Sequence, residues 1–146
     1  MNWQKISIQR LRDYESRRKA LTLIPEQLET LELNYTAIRS ATTDGTPTKD
    51  SNSNRREDAL ISNITMRDEL KNNLSIATRE IELTEKGLDA LSPEQRKILY
   101  YFFVNRPYRH IEYLCEEMHV EKTKLYLMKD EALKKFTLAC YGVIEV

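Results

Sequence analysis

The chain has 146 residues, of which 23 are Lys or Arg and 23 are Asp or Glu, so its formal net charge is zero. This balance excludes a strongly basic protein that coats nucleic acid, although a local cluster of cations can still read DNA. Three glycines and four prolines are few for a many-stranded sheet, and the abundant Leu, Ile, Lys, Arg and Glu favour helix.

We expect neither a membrane span nor a secretion signal. No apolar run approaches the roughly 20 residues that cross a bilayer. The N-terminal segment MNWQKISIQRLRDYESRRKAL has no apolar core followed by small residues, so we expect a protein of the cytoplasm. Cys115 and Cys140 lie in apolar helical pattern, which is typical of small buried side chains rather than of a disulfide framework.

Residues 1–91 are predicted to form a helical arm or hairpin. A first helix is expected over residues 2–23, and Pro25 suits the first turn of a second helix. The apolar residues of that second helix follow at spacings of four and three: Ile24, Leu28, Leu31, Tyr35 and Ile38. A further helix from Glu57 to Leu91 carries a similar seam: Met66, Leu70, Leu74, Ala77, Ile81, Thr84, Leu88 and Leu91.

Such spacing predicts antiparallel, coiled-coil-like pairing, either within one chain or between two chains of a homo-oligomer. The first helix also carries a basic cluster, which is either a solvated face or an accessory DNA contact: Arg10, Arg12, Arg17, Arg18 and Lys19.

Residues 41–58 interrupt this pattern. The segment ATTDGTPTKDSNSNRRED contains Gly45, Pro47 and many small polar residues without apolar periodicity. It is therefore predicted to be a flexible loop that closes the hairpin.

A second domain, residues 92–146, is predicted to begin at a helix cap. Ser92 is a good N-cap, Pro93 a good first helical residue, and Gln95 stands at the reciprocal position of a capping box. The helix should end before Pro107, which disfavours helical geometry at the residue preceding it.

The segment IEYLCEEMHVEKTKLYLMKD, residues 111–130, fits a helix-turn-helix, the core of a module over residues of about 108–136. Two helices that cross steeply need a small residue at the contact, and Cys115 meets that need. His119 stands where the turn requires a positive φ, which histidine tolerates better than most residues. The apolar positions of the template are filled by Leu114, Met118, Val120, Leu125 and Met128.

If Leu125 and Met128 point inward, polar side chains remain outside or on the flanks of the second helix: Lys122, Thr123, Lys124, Tyr126 and Lys129. Such side chains reach phosphates and base edges. Tyr108 and Arg109 open the preceding helix, whose N-terminus would approach the DNA backbone. These cations are either DNA contacts or ordinary surface charge, and Glu121 would oppose the phosphates.

Residues 91–136 resemble the fourth conserved region of bacterial sigma factors, on the strength of Leu91, Ser92, Arg96 and the Ala-Leu-Lys pattern at residues 132–134. More specifically, the whole chain is similar to phage-encoded late-gene transcription activators of the ArpU and RinA type, through residues 43–47 (TDGTP), this sigma-like module and the tail LACYGVIE. The resemblance implies sequence-specific binding to double-stranded promoter DNA and activation of late phage genes with host RNA polymerase. It also implies that Lys122, Thr123, Lys124 and Tyr126 read the DNA.

An enzyme is not expected, because no phosphate loop, nucleophile elbow or metal motif occurs. His110, Cys115 and His119 lack a fourth ligand, so neither a metal nor a cofactor is expected. Two alternatives stay open: a phage DNA-packaging adaptor similar to a small terminase subunit, which would form rings, and a module that binds RNA polymerase without touching DNA.

Overall fold

The computed structural model describes residues 1–41 and 50–145, although it leaves the side chains of residues 50–53 undescribed. The fold is all-α. Its elements are α1 (Trp3–Ser40), α2 (Asp50–Asp89), α3 (Pro93–Leu99), a π-helical segment (Tyr100–Val104), α4 (His110–Met118) and α5 (Lys122–Tyr141). None of the described helices combines the length and apolar character that crossing a bilayer demands.

The long helices α1 and α2 pack against each other as an antiparallel hairpin, as predicted. Two hydrogen bonds join the C-terminal half of α1 and the residue that follows it to the N-terminal half of α2. Arg56 of α2 donates to the Ala41 carbonyl, and Asn63 donates to the Leu31 carbonyl. Contacts therefore run backward along α1 as they run forward along α2. Of the predicted loop of residues 41–58, residues 42–49 lie outside the described residues, and these include the motif at residues 43–47.

Helix α1 is one helix, and the predicted break at Pro25 was wrong because Pro25 lies inside it. An internal proline costs roughly 3 kcal/mol, since it removes one backbone hydrogen bond and crowds the preceding turn. The seam nevertheless continues across it at spacings of three and four, through Leu21, Ile24 and Leu28. Ile24 is only 8 % exposed, so packing continues through the proline and offsets its cost.

The predicted extent of the loop was also wrong, because α2 begins at Asp50 and residues 50–58 are helical. These residues lack an apolar pattern, but no glycine or proline follows Pro47 in this segment. Helix can therefore propagate outward from the packed turns without burying apolar side chains of its own.

Met66 is not part of the α2 seam, and its side chain is 54 % exposed. The seam instead runs through Asn63 and Arg67, which are polar and therefore do not show in the apolar pattern. Asn63 is buried, and the Arg67 guanidinium lies 4.8 Å from the centre of the Tyr35 ring. Polar residues with an amide or a long apolar stem can occupy seam positions in this way.

Two compact units divide the chain: Met1–Arg18 with Arg79–Val146, and Lys19–Thr78. This division does not coincide with the predicted boundary between residues 91 and 92. The beginning of α1 and the end of α2 belong with the helices that follow residue 92, because they contribute to the same core. Leu11 and Ile81 are among its buried residues, together with Leu99 and Phe136.

The predicted capping box is present at the start of α3. Gln95 donates its backbone N–H to Ser92 Oγ at 3.2 Å, and Ser92 donates its own to Gln95 Oε1 at 3.1 Å. The helix ends before Pro107 as predicted, but its last turn is π-helical over Tyr100–Val104, which the sequence did not indicate.

Replacing Pro25 with alanine should raise the free energy of unfolding by about 1–3 kcal/mol, because alanine restores the missing N–H within a helix that is already formed. Urea denaturation followed by circular dichroism measures this change. The exposed neighbour Thr22→Ala is the matched control and should change stability little. A destabilised Pro25→Ala variant would mean that α1 is not continuous at this position.

At Gly87, α2 packs tightly against α5. A β-carbon there would lie 2.5 Å from Cys140 Sγ and 2.8 Å from Phe136 Cε2. Gly87→Ala should therefore lower the free energy of unfolding by about 1–3 kcal/mol through overpacking. Adding Cys140→Ala should recover part of the loss because it vacates the contact, and equal stability of Gly87→Ala and the parent would contradict this packing.

Candidate nucleic-acid interface

Helices α4 and α5, joined by residues 119–121, form a helix-turn-helix around a shared core. Leu114 of α4 and Leu125 of α5 are fully buried and meet Ile98 and Phe102 of the preceding segment. Four other residues of the predicted template pack against this cluster as partly buried side chains: Cys115, Met118, Val120 and Met128. The structure thus brings the predicted core residues together.

The turn depends on His119, whose φ of 55° lies in the left-handed region. In that conformation His119 ends α4, and the N–H of Val120 donates to the Cys115 carbonyl at 3.2 Å. The turn residue therefore has the backbone conformation that the template requires.

A second left-handed residue, Arg109 with φ 53°, precedes α4 and was not foreseen. No side-chain hydrogen bond caps the N-terminus of α4, so its first N–H groups have no such partner there. The Arg109 side chain is about two-thirds exposed and lies 3.6 Å from the Glu112 carboxylate. Tyr108 is 88 % exposed beside it.

The outward face of α5 carries three of the predicted DNA contacts. Lys122, Thr123 and Lys124 are all exposed. In the described part of the chain, no ion pair involves either lysine. Leu127, one turn beyond Thr123, is 60 % exposed on this face. Leu127 is not among the predicted contacts, although its spacing of four from Thr123 was a usable signal.

Tyr126 and Lys129, also predicted as DNA contacts, are half-buried and do not lie on that outward face. The Tyr126 ring meets the Phe102 ring edge to face at 6.0 Å. The Lys129 ammonium lies 5.6 Å from the centre of the Phe102 ring and 3.2 Å from Asp130 Oδ1. Both side chains therefore contribute to packing at the rim of the core.

Lys122 and Arg109 line one small concavity of about 240 Å³ at the N-terminus of α4. His110 lies in the same concavity, edge to face with Phe102 at 5.0 Å. Partial burial lowers the pKa of His110, and the charge of Arg106 lowers it further. His110 therefore adds little positive charge at neutral pH, and the charged groups that line the concavity are Arg109, Lys122 and the Glu112 carboxylate.

Polar contacts that the sequence did not indicate join the C-terminal end of α5 to the beginning of α1. Thr137 donates to Ser7 Oγ at 2.9 Å, and both side chains are fully buried. Arg10 donates to the Tyr141 hydroxyl at 2.7 Å and forms an ion pair with Glu80. Arg10 belongs to the basic cluster of α1, but its guanidinium is largely buried in this contact.

No cluster of three or more metal-binding side chains occurs among the described residues. His110, Cys115 and His119 in particular do not form a ligand set. Both cysteines are free and half-buried.

No known protein family, curated protein or solved structure matches the chain.

Replacing His119 with glycine should raise the free energy of unfolding by about 1 kcal/mol, because glycine adopts the left-handed conformation without steric cost. Thermal denaturation of the two proteins measures the difference. His119→Ala keeps a β-carbon and is the matched control, which should give no gain. Equal stabilisation by alanine and glycine would contradict the left-handed turn.

Proposed function

We propose that this chain is a sequence-specific DNA-binding regulator of transcription that inserts the start of α5 into the major groove. One observation carries the proposal. Lys122, Thr123 and Lys124 lie exposed at the N-terminal turns of α5, while Leu125 of the same turns is fully buried. The helix is thus anchored on one side and presents donors on the other, as a recognition helix requires.

Each side chain of this face has a chemical role in the proposal. Lysine donates to guanine O6 and N7 or to a phosphate, and a threonine hydroxyl bonds either a phosphate or a base edge. Leu127 is suited to the methyl group of thymine, which apolar groups contact.

Backbone contacts would come from the start of α4. Its uncapped N–H groups attract a phosphate, and Arg109 and Lys122 add positive charge on either side. Tyr108 is exposed enough to donate its hydroxyl to the sugar-phosphate backbone. These contacts set the position of the protein on DNA without reading sequence.

A neutral chain has modest non-specific affinity for DNA, and Glu121 at the start of α5 weakens it further. Tight binding is then expected to need two copies, each reading a half-site. We extend the proposal to self-association through the hairpin unit Lys19–Thr78. In this unit Leu23, Ile61 and Met66 are each more than half exposed. The resemblance to phage late-gene activators further extends it to promoter activation with host RNA polymerase.

The test begins with selection of DNA duplexes from a random library by the full chain. On the selected duplex, the Lys122→Ala/Lys124→Ala variant should lose roughly 1–3 kcal/mol of binding free energy for each side chain that reads a base. For each one that meets a phosphate, the slope of log affinity against log salt should fall by about 1. Fluorescence anisotropy across a salt series measures both.

The matched control is Lys134→Ala/Lys135→Ala, which removes the same charge from exposed positions further along α5. It should retain nearly the parent affinity, and equal losses in the two variants would refute the recognition helix. Failure to select any duplex, with a native mass of ring size, would favour the packaging adaptor. The same failure with retained binding to RNA polymerase would favour the module that does not touch DNA.

A further inference from the structure

A cleft of about 450 Å³ lies between the beginning of α1, the end of α2 and the α3–π segment. Its walls are largely apolar and aromatic, with Tyr14, Leu88 and Tyr101 among the residues that line them. No carboxylate is among the residues that line the cleft, whereas three cations are: Arg18, Arg96 and Lys97. This volume is within the range of small binding pockets and accommodates one large side chain.

The π-helical segment shapes this cleft. Three of its five residues, Tyr100, Tyr101 and Val104, line the wall. The Asn105 N–H reaches back to the Tyr100 carbonyl at 2.9 Å, which is the wider hydrogen-bond ring of a π-helix. Such turns are rare and occur frequently at functional sites. Here the turn adds two tyrosine rings to one wall.

Hydrogen bonds hold two of the three tyrosines of the cleft in place. The Tyr14 hydroxyl donates to Glu85 Oε1 at 2.8 Å, and the Tyr100 hydroxyl donates to Glu15 Oε1 at 3.1 Å. Since these two hydroxyls already bond carboxylates of the protein, the rings offer a ligand their apolar surface. The walls of the cleft are therefore complementary to an apolar or aromatic group.

The three cations of the cleft differ in how closely a carboxylate of the protein pairs with them. Lys97 is in close contact with Glu117, whereas Arg96 lies 3.8 Å from the exposed Asp89 carboxylate. Arg18 is exposed, its guanidinium lies 5.8 Å from the centre of the Tyr14 ring, and no ion pair engages it in the described part of the chain. Arg18, followed by Arg96, is the cation best placed to receive an acidic group.

We propose that this cleft docks a short segment of a partner protein that carries an aromatic or branched aliphatic side chain beside an acidic residue. The apolar side chain enters between the tyrosine rings, and the carboxylate meets Arg18 and Arg96. Such anchors supply most of the binding free energy of small interfaces. The surface is separate from the outward face of α5, so the proposal does not depend on DNA binding.

A peptide fits this cleft better than a nucleic acid does. Four carboxylates pair with side chains that line the cleft: Glu15, Glu85, Asp89 and Glu117. They repel a continuous chain of phosphates, whereas a peptide can offer them backbone N–H groups. An isolated acidic side chain needs only one or two of the cations.

The test titrates the ¹⁵N-labelled full chain with the capped peptide Gly-Glu-Phe-Gly-Gly, which carries one acidic residue, and follows the amide signals of the protein by NMR. Signals of Tyr14, Arg18 and Tyr101 should shift, and those of Lys122 and Lys124 should not. The peptides Gly-Glu-Ala-Gly-Gly and Gly-Lys-Phe-Gly-Gly should bind at least about tenfold more weakly, because the first lacks the anchor and the second reverses the charge.

Arg18→Glu should weaken binding of the phenylalanine peptide by about tenfold or more, since it reverses the charge at the cleft. Arg12→Glu makes the same change on an exposed face of α1 outside the cleft and should bind like the parent. Parent-like binding by Arg18→Glu, equal binding of the alanine peptide, or no shift up to millimolar peptide would overturn the proposal. Shifts at the same amides with oligothymidylate alone would also overturn it, in favour of a nucleic-acid site.

Discussion

The buried hydrogen bond between Thr137 and Ser7 lies where α5 packs against the beginning of α1, and the rest of the candidate interface depends on this packing. Arg10 reinforces it through Tyr141 and Glu80. Gly87 permits α2 to approach the same helix. Because these contacts fix the far end of α5, its first turns can present lysines to solvent without burying any of their charge.

The helix-turn-helix is defined by backbone conformation as much as by packing. Arg109 and His119 both have positive φ. Arg109 precedes the short helix α4, and His119 ends it. A left-handed residue other than glycine carries a steric cost of roughly 1–2 kcal/mol, so the shared core must supply it. The cluster around Phe102 and Leu125 does this, and it also draws Tyr126 and Lys129 inward. The exposed polar face of α5 is consequently smaller than the sequence indicated.

The compact unit formed by Met1–Arg18 and Arg79–Val146 carries two surfaces of different chemistry. The outward face of α5 offers hydroxyl, ammonium and aliphatic groups on a convex helix, which suits a groove of DNA. The cleft beside the π-helical segment offers tyrosine rings rimmed by cations, which suits a peptide. A regulator that binds DNA through one surface and a protein partner through the other could bring the two together without a large conformational change.

The sequence by itself determined the all-α fold, the antiparallel hairpin, the cap at Ser92 and the register of the helix-turn-helix. These features follow from local chemistry: apolar spacing, a Ser-Pro-Glu-Gln cap and the few residues that tolerate a turn. The tertiary structure decided that α1 continues through Pro25, that Asn63 and Arg67 replace Met66 in the seam, and that Tyr126 and Lys129 face the core. It also decided the π-helical turn and the buried Thr137–Ser7 contact. Each of these depends on side chains distant in sequence, whose packing outweighs a local preference of a few kcal/mol.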